Sequence, residues 1–270
     1  MLQFSANLSL LFQELPWAER FRAARDCGFS AVEIQFPYEM DRFWLAEQLQ
    51  QHALQLVLIN LPAGDLLQGG AGIACHAQST TAFDQAIALA LLYAQTLKIP
   101  RLNVLAGHCA VTERQTALEV FIHNLQHAAD VFWPHGIQTC FETLNPHDMP
   151  GFLIDSVEFT ETVLRRCPDQ RITWQADFYH LAHLQADTAV LLQRHQQRLG
   201  HVQFADFPGR GAPGTGQIDF QPLLRQLSLS DYQGFIGAEY HPRGSTAASL
   251  HWLPQWCKTD AHLTAALPEE

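Results

Sequence analysis

Ile137-Gln138-Thr139-Cys140-Phe141-Glu142 reads as a short strand that closes on an acid; the pattern returns in Ile172-Thr173-Trp174-Gln175-Ala176-Asp177 and Phe235-Ile236-Gly237-Ala238-Glu239, and between them His201-Val202-Gln203-Phe204-Ala205 carries an amide near its end. Glu142, Asp177, Gln203 and Glu239 stand 35, 26 and 36 residues apart, about one strand-plus-helix unit each. Such short apolar runs suit strands covered on both faces. Upstream, the same reading finds strands at Phe4–Leu8, Ala31–Phe36, Gln55–Asn60 and Arg101–Leu105. Between them lie helical patterns over Trp17–Cys27, Asp41–His52, Ala77–Leu97, Thr112–His135, Ser156–Cys167 and Leu184–Arg198, with shorter ones over Phe220–Gln226 and Thr246–Trp256. Pro16 and Ser156 sit at helix starts, and Gly28, Gly136 and Gly200 sit just past helix ends, where a left-handed cap favours glycine. Eight alternations in 270 residues predict an α/β chain folded as a single (β/α)8 barrel over residues 1–270. A doubly wound open sheet is weaker, because no G-x-G-x-x-G follows the first strand.

Composition narrows the function. Nothing reads as a linker or a low-complexity tract. The net charge of −11 argues against a phosphate-neutralising surface and so against nucleic acid as a partner. The six cysteines form no C-x-x-C pair, so buried reduced thiols are expected rather than a zinc knuckle. Leu2 to Phe12 is apolar but has no basic flank and is too short to span a bilayer, so it reads as a first strand. A cytoplasmic enzyme without membrane contact is the expectation, and assembly of identical chains stays open.

A barrel carries its chemistry at the carboxyl ends of its strands. Glu142, Asp177 and Glu239 end their predicted strands and Gln203 lies inside the seventh near its end; the four strands are consecutive, so these side chains can converge as oxygen ligands around one divalent cation. Acids that close need such a counter-charge. Hard oxygen ligands favour Mg2+ or Mn2+. That cation can bind a carbonyl and a neighbouring hydroxyl together.

The flanking residues are more specific. Glu142-Thr143-Leu144-Asn145 runs into Asp148-Met149-Pro150-Gly151-Phe152. Asp177-Phe178-Tyr179-His180 sets a histidine three residues after an acid, and Ala205-Asp206-Phe207-Pro208-Gly209-Arg210 continues to Pro213-Gly214-Thr215-Gly216. Over nearly its whole length the chain resembles the hydroxypyruvate isomerase family, which includes the 2-oxo-tetronate isomerases, within the xylose-isomerase-like barrels. The resemblance implies that Glu142, Asp177, Gln203 and Glu239 are the metal ligands, that Glu142 and Glu239 are also the acid/base pair, and that His180, Arg210 and Asp148 contact a small hydroxy-oxo acid. Many relatives have histidine where this chain has Gln203. A lysine is expected after the Glu-Tyr of the last strand, where this chain has His241, a further candidate for the substrate carboxylate. The implied reaction moves a proton between adjacent carbons through an enediolate.

Other positions read less sharply. His108 follows the fourth strand and can face the mouth, as can Asn7 and Asn60. Phe36, Tyr38 and Trp44 read as core by default. Pro62–Ala77 is glycine-rich and reads as a loop over the site. Gly209, Gly214 and Gly216 read as turn glycines rather than a phosphate cradle, since no GK[ST] follows. A ketose epimerase with a longer substrate is the neighbouring reading. A metal-dependent endonuclease for damaged DNA would need several metals and a basic face. A silent sugar-acid binder would be missing one of the paired glutamates, and both are present.

Overall fold

The structure is a computed structural model and describes residues 2–257. Its eight strands are β1 (Gln3–Asn7), β2 (Ala31–Glu33), β3 (Gln55–Asn60), β4 (Arg101–Val104), β5 (Gln138–Glu142), β6 (Ile172–Asp177), β7 (Leu199–Phe204) and β8 (Phe235–Ala238). They pair in chain order, all parallel, and β1 closes on β8 through Gln3–Phe235 and Ala6–Ala238. The helices between them are α1 (Trp17–Asp26), α2 (Arg42–Gln51), α3 (Thr80–Leu97), α4 (Arg114–Phe132), α5 (Val157–Arg166), α6 (Phe178–His183), α7 (Thr188–Arg194) and α8 (Phe220–Leu229). The predicted barrel is present, and its strand positions agree to within three residues at either end.

The strand period divides each strand between two environments. In β1, Phe4 packs against Trp252 and Trp256 outside the barrel, at 5.5 and 5.7 Å between ring centroids. Ser5 points inward, where its hydroxyl donates to Glu33 at 2.6 Å. Phe204 of β7 meets the same tryptophans at 5.0 and 5.2 Å, so the segment after β8 seals the outer face of β1 and β7. Each such buried aromatic contributes about 1.5–3 kcal/mol.

Two local expectations are corrected. The helix predicted over Leu184–Arg198 instead begins directly after β6, as α6, and α7 follows after a break. Asp177 causes this: its Oδ1 accepts the Tyr179 N–H at 2.8 Å and caps α6. Gly200 lies inside β7 rather than in a left-handed cap. It is glycine because a Cβ there would stand 2.0 Å from Thr173 Oγ1 and 3.0 Å from Cys140 Sγ. Gly28 and Gly136 do adopt the left-handed conformation, at φ 99° and 74°. No helix among the described residues is long and apolar enough to cross a membrane.

Candidate active site

At the carboxyl ends of the strands is a cavity of about 240 Å3. Glu142, Gln203, Glu239, His180, Arg210 and Asp148 all line it, together with Asn7 and Asn60. Leu67, from the glycine-rich segment after β3, also reaches it. Asp177 stands beside it: a carboxylate oxygen of Glu142, one of Asp177 and a ring nitrogen of His180 lie within 4.8 Å of one another.

Glu142 and Glu239 are each held by amides from neighbouring strands and loops. Glu142, at the end of β5, accepts from Asn103 of β4 at 3.0 Å, and Asn103 also donates to Asn60 of β3 at 3.1 Å. Glu239 Oε1 accepts from Asn7 at 2.8 Å and Gln35 at 3.0 Å, and its Oε2 accepts from Arg210 at 2.5 Å. Gln203 donates to Glu33 at 2.8 Å and to Glu239 at 3.3 Å, while its oxygen accepts from Gln175 at 2.6 Å. Asp177 Oδ2 is buried and accepts no hydrogen bond.

Three carboxylates therefore share the field of one guanidinium. Burial, then Glu239 and Asp177, push the Glu142 carboxyl well above the usual range. Burial pushes Asp177 up to about 7; Arg210 opposes that and Glu239 adds to it. Burial would weaken Arg210 as a cation, but Glu239, Asp177 and Glu142 together hold it charged. A carboxylate oxygen without a hydrogen bond beside an acid that resists ionising is a site short of positive charge. The converging atoms of Glu142, Asp177 and His180 form a set that fits a metal ion.

His180 is held differently. Its Nδ1 accepts from the Asn145 backbone N–H at 3.1 Å and from the Asn145 amide at 2.7 Å. The proton therefore sits on Nε2, which stands 3.6 Å from Asp177 Oδ2. Burial first, then Arg210, hold its pKa far below the ordinary value. His180 is a neutral N–H donor facing the cavity. Asp148 accepts from Asn145 at 3.1 Å. Burial works against its ionisation, but bonds from His147, Asn145 and Tyr179 hold it down to about 2.

Arg210 reaches Glu239 because its loop is folded around Asp206. One Asp206 oxygen accepts the Gly214 and Gly216 N–H groups at 2.9 and 2.8 Å, and the other accepts Ile218 N–H at 3.0 Å. A Cβ at Gly216 would stand 2.0 Å from the Phe207 carbonyl oxygen. Arg210 itself has φ 50°, and its guanidinium lies 5.2 Å from the Tyr179 ring centre.

Two candidates stand outside the cavity wall. His241 is exposed and does not line the cavity, though its backbone N–H donates to Arg210 O at 2.8 Å and its ring lies near enough to feel Arg210, Glu239 and Asp148. The His108 ring packs on Phe152 at 6.2 Å, and its carbonyl accepts from His76 at 2.9 Å. Sequence reasoning missed Glu33, Gln35, Asn103 and Gln175. Glu33 is buried in β2 and accepts from Ser5, His201 and Gln203 at 2.6, 2.8 and 2.8 Å. The signal was present: one acid inside the apolar run Ala31-Val32-Glu33-Ile34.

With this geometry in view, comparison with known proteins is decisive. Residues 21–256 match the xylose isomerase-like TIM barrel model. The chain belongs to that family. It is 35% identical over 254 residues to hydroxypyruvate isomerase of Escherichia coli K12, covering 94% of this chain and 98% of the relative. It is 36% identical over 258 residues to 2-oxo-tetronate isomerase of Pectobacterium atrosepticum, covering 95% and 98%. A solved structure, named as an AP endonuclease of family 2 from Brucella melitensis, superposes with a TM-score of 0.91 at 36% identity, covering 94% of this chain and 99% of the other. Within the xylose isomerase-like barrels, this chain is an isomerase.

Proposed function

We propose that the chain interconverts hydroxypyruvate and tartronate semialdehyde, or a homologous small hydroxy-oxo acid, with Glu142 and Glu239 as the proton-transfer pair. The observation that carries this reading is that both glutamates line one cavity beside a carboxylate oxygen that accepts no hydrogen bond. The E. coli relative named for that reaction supports it.

Glu142, Asp177, Gln203 and Glu239 would hold one Mg2+ or Mn2+. When bound, the ion supplies Lewis-acid stabilisation of the enediolate oxygens. In the forward direction one glutamate takes a proton from the hydroxyl-bearing carbon, and the electron pair moves towards the carbonyl oxygen. A proton then returns to the former carbonyl carbon, and the hydroxyl proton of the first carbon passes to the other oxygen. Both carboxylates can act as base, one in each direction. His180 donates Nε2–H to a substrate oxygen, and its bonds to Asn145 keep it in that tautomer. Arg210 attracts the substrate carboxylate, and Asp148 lines the remaining wall. Gln203 must release either Gln175 or its present amide orientation to turn its oxygen to the cation.

A 2-oxo-tetronate substrate is the second reading, favoured by the near-equal identity to the P. atrosepticum relative. A nuclease fits poorly with a net charge of −11. A cytoplasmic setting suits the unpaired thiols Cys27, Cys75, Cys109, Cys140 and Cys167. The test is incubation with hydroxypyruvate or 2-oxo-tetronates in D2O. Deuterium entering at the carbon that gains the proton is expected with Mg2+ or Mn2+, and none after EDTA. Full exchange in metal-free protein would overturn the mechanism.

A further inference from the structure

Beside the cavity, on its solvent side, a second group of ligand atoms converges. His147, in the loop between β5 and α5, stacks on His183 at the end of α6, with ring centres 5.2 Å apart and planes 22° from parallel. One ring nitrogen from each histidine and a carboxylate oxygen of Asp148 lie within 4.8 Å of one another. His147 Nδ1 is already 3.0 Å from Asp148 Oδ1.

His183 is prepared for a ligand. Its Nε2 is buried and has no hydrogen-bond partner, and the Pro208 backbone lies close enough to favour the protonated ring against the effect of burial. The ring is wedged edge-on between Tyr179 and Phe207, with centroids 4.7 Å away on each side. Asp148 stays ionised, because its hydrogen bonds outweigh its burial. The His147 side chain is 78% exposed, so an ion can enter from solvent.

We propose that His147, Asp148 and His183 form a second cation site at the rim, one that takes a transition-metal ion such as Zn2+. Two imidazoles and one carboxylate, with solvent completing a tetrahedron, form a nitrogen-rich set. Mg2+ prefers oxygen and keeps its water, so the rim discriminates against the ion suited to the inner carboxylates. The two sites share no ligand, and Asp148 is the only rim residue that also lines the cavity.

The test is calorimetric titration of the whole protein with Zn2+ in saturating Mg2+. One equivalent of Zn2+ should bind to the wild type. His147→Ala and His183→Ala should each weaken it by at least about tenfold, the scale on which even an outer support of a metal site acts. His147 is exposed, so His147→Ala leaves the fold intact and keeps the test valid if His183→Ala unfolds. Asp177→Asn, in the inner set, should leave the equivalent in place. Zn2+ binding unchanged in His147→Ala, or lost in Asp177→Asn instead, would overturn the proposal.

Discussion

Arg210→Met removes the one guanidinium among three buried carboxylates while keeping a comparable apolar stem. The pair it breaks is short, 2.5 Å to Glu239 Oε2, with side-chain exposures of 21% and 6%. Deleting one partner of a buried pair costs about 3–5 kcal/mol, because the other charge remains buried. Here the lower end applies. Arg210 is one-fifth exposed, and Glu142 already resists ionising, so the cluster can take up a proton instead of unfolding. A loss of about 3 kcal/mol corresponds to a drop of roughly 6–12 °C in melting temperature for a chain of this size. Linkage gives a sharper signature. A bound cation replaces part of the missing charge, so Mg2+ should bind the variant more tightly and stabilise it more than it stabilises the wild type. Urea unfolding of both proteins, in EDTA and in Mg2+, reads both quantities. The same midpoint in EDTA for variant and wild type would refute the charge argument. So would an equal Mg2+ increment in the two proteins.

Glu142→Gln and Glu239→Gln should each slow turnover by at least about a hundredfold, the scale of general acid–base catalysis; steady-state rates near wild type would remove that residue from proton transfer. In EDTA the protein should lose stability as pH rises from about 4 to about 7, because Asp177 holds its proton to about 7 in the fold against an ordinary 3.8. A group raised in this way stabilises fully below its unfolded pKa and ceases to do so above its folded one. Glu142 acts in the same direction. Thermal melts across that range should slope downward in EDTA and flatten in Mg2+, and a flat profile in EDTA would contradict the burial effect. Gly200→Ala should cost about 1–3 kcal/mol by overpacking, since its Cβ would meet Thr173 Oγ1 at 2.0 Å. An unchanged denaturation midpoint would mean that the interior between β6 and β7 is slack.

The barrel was legible because its strands are short apolar runs at a regular spacing, and because Glu142 and Asp177 end two of them. Position along a strand translates directly into position in a barrel. Orientation in loops does not. His108 and His241 sit next to strand ends in sequence, yet one ring turns onto Phe152 and the other stands outside the cavity lining. The start of α6 was misplaced because Asp177 looked only like a strand end, while its carboxylate also caps the helix. Glu33 and Gln175 were passed over as strand interior. In a closed barrel, alternate residues of such a strand face the axis, and a polar one among them meets the polar residues of its neighbours. The direction of the Gln203 amide cannot be read from spacing, because it depends on Glu33 and Gln175 together.

The ring of amides drawn in by Asp206 has one more consequence. A loop rich in glycine and proline ordinarily wanders until a ligand gathers it, and the entropy lost in gathering weakens that ligand's grip. Here an internal anion has done the gathering during folding, so Arg210 stands ready before any guest arrives. The same carboxylate takes up the Gly214, Gly216 and Ile218 N–H groups, so those donors are already spent within the fold and it is the Arg210 side chain that the loop presents.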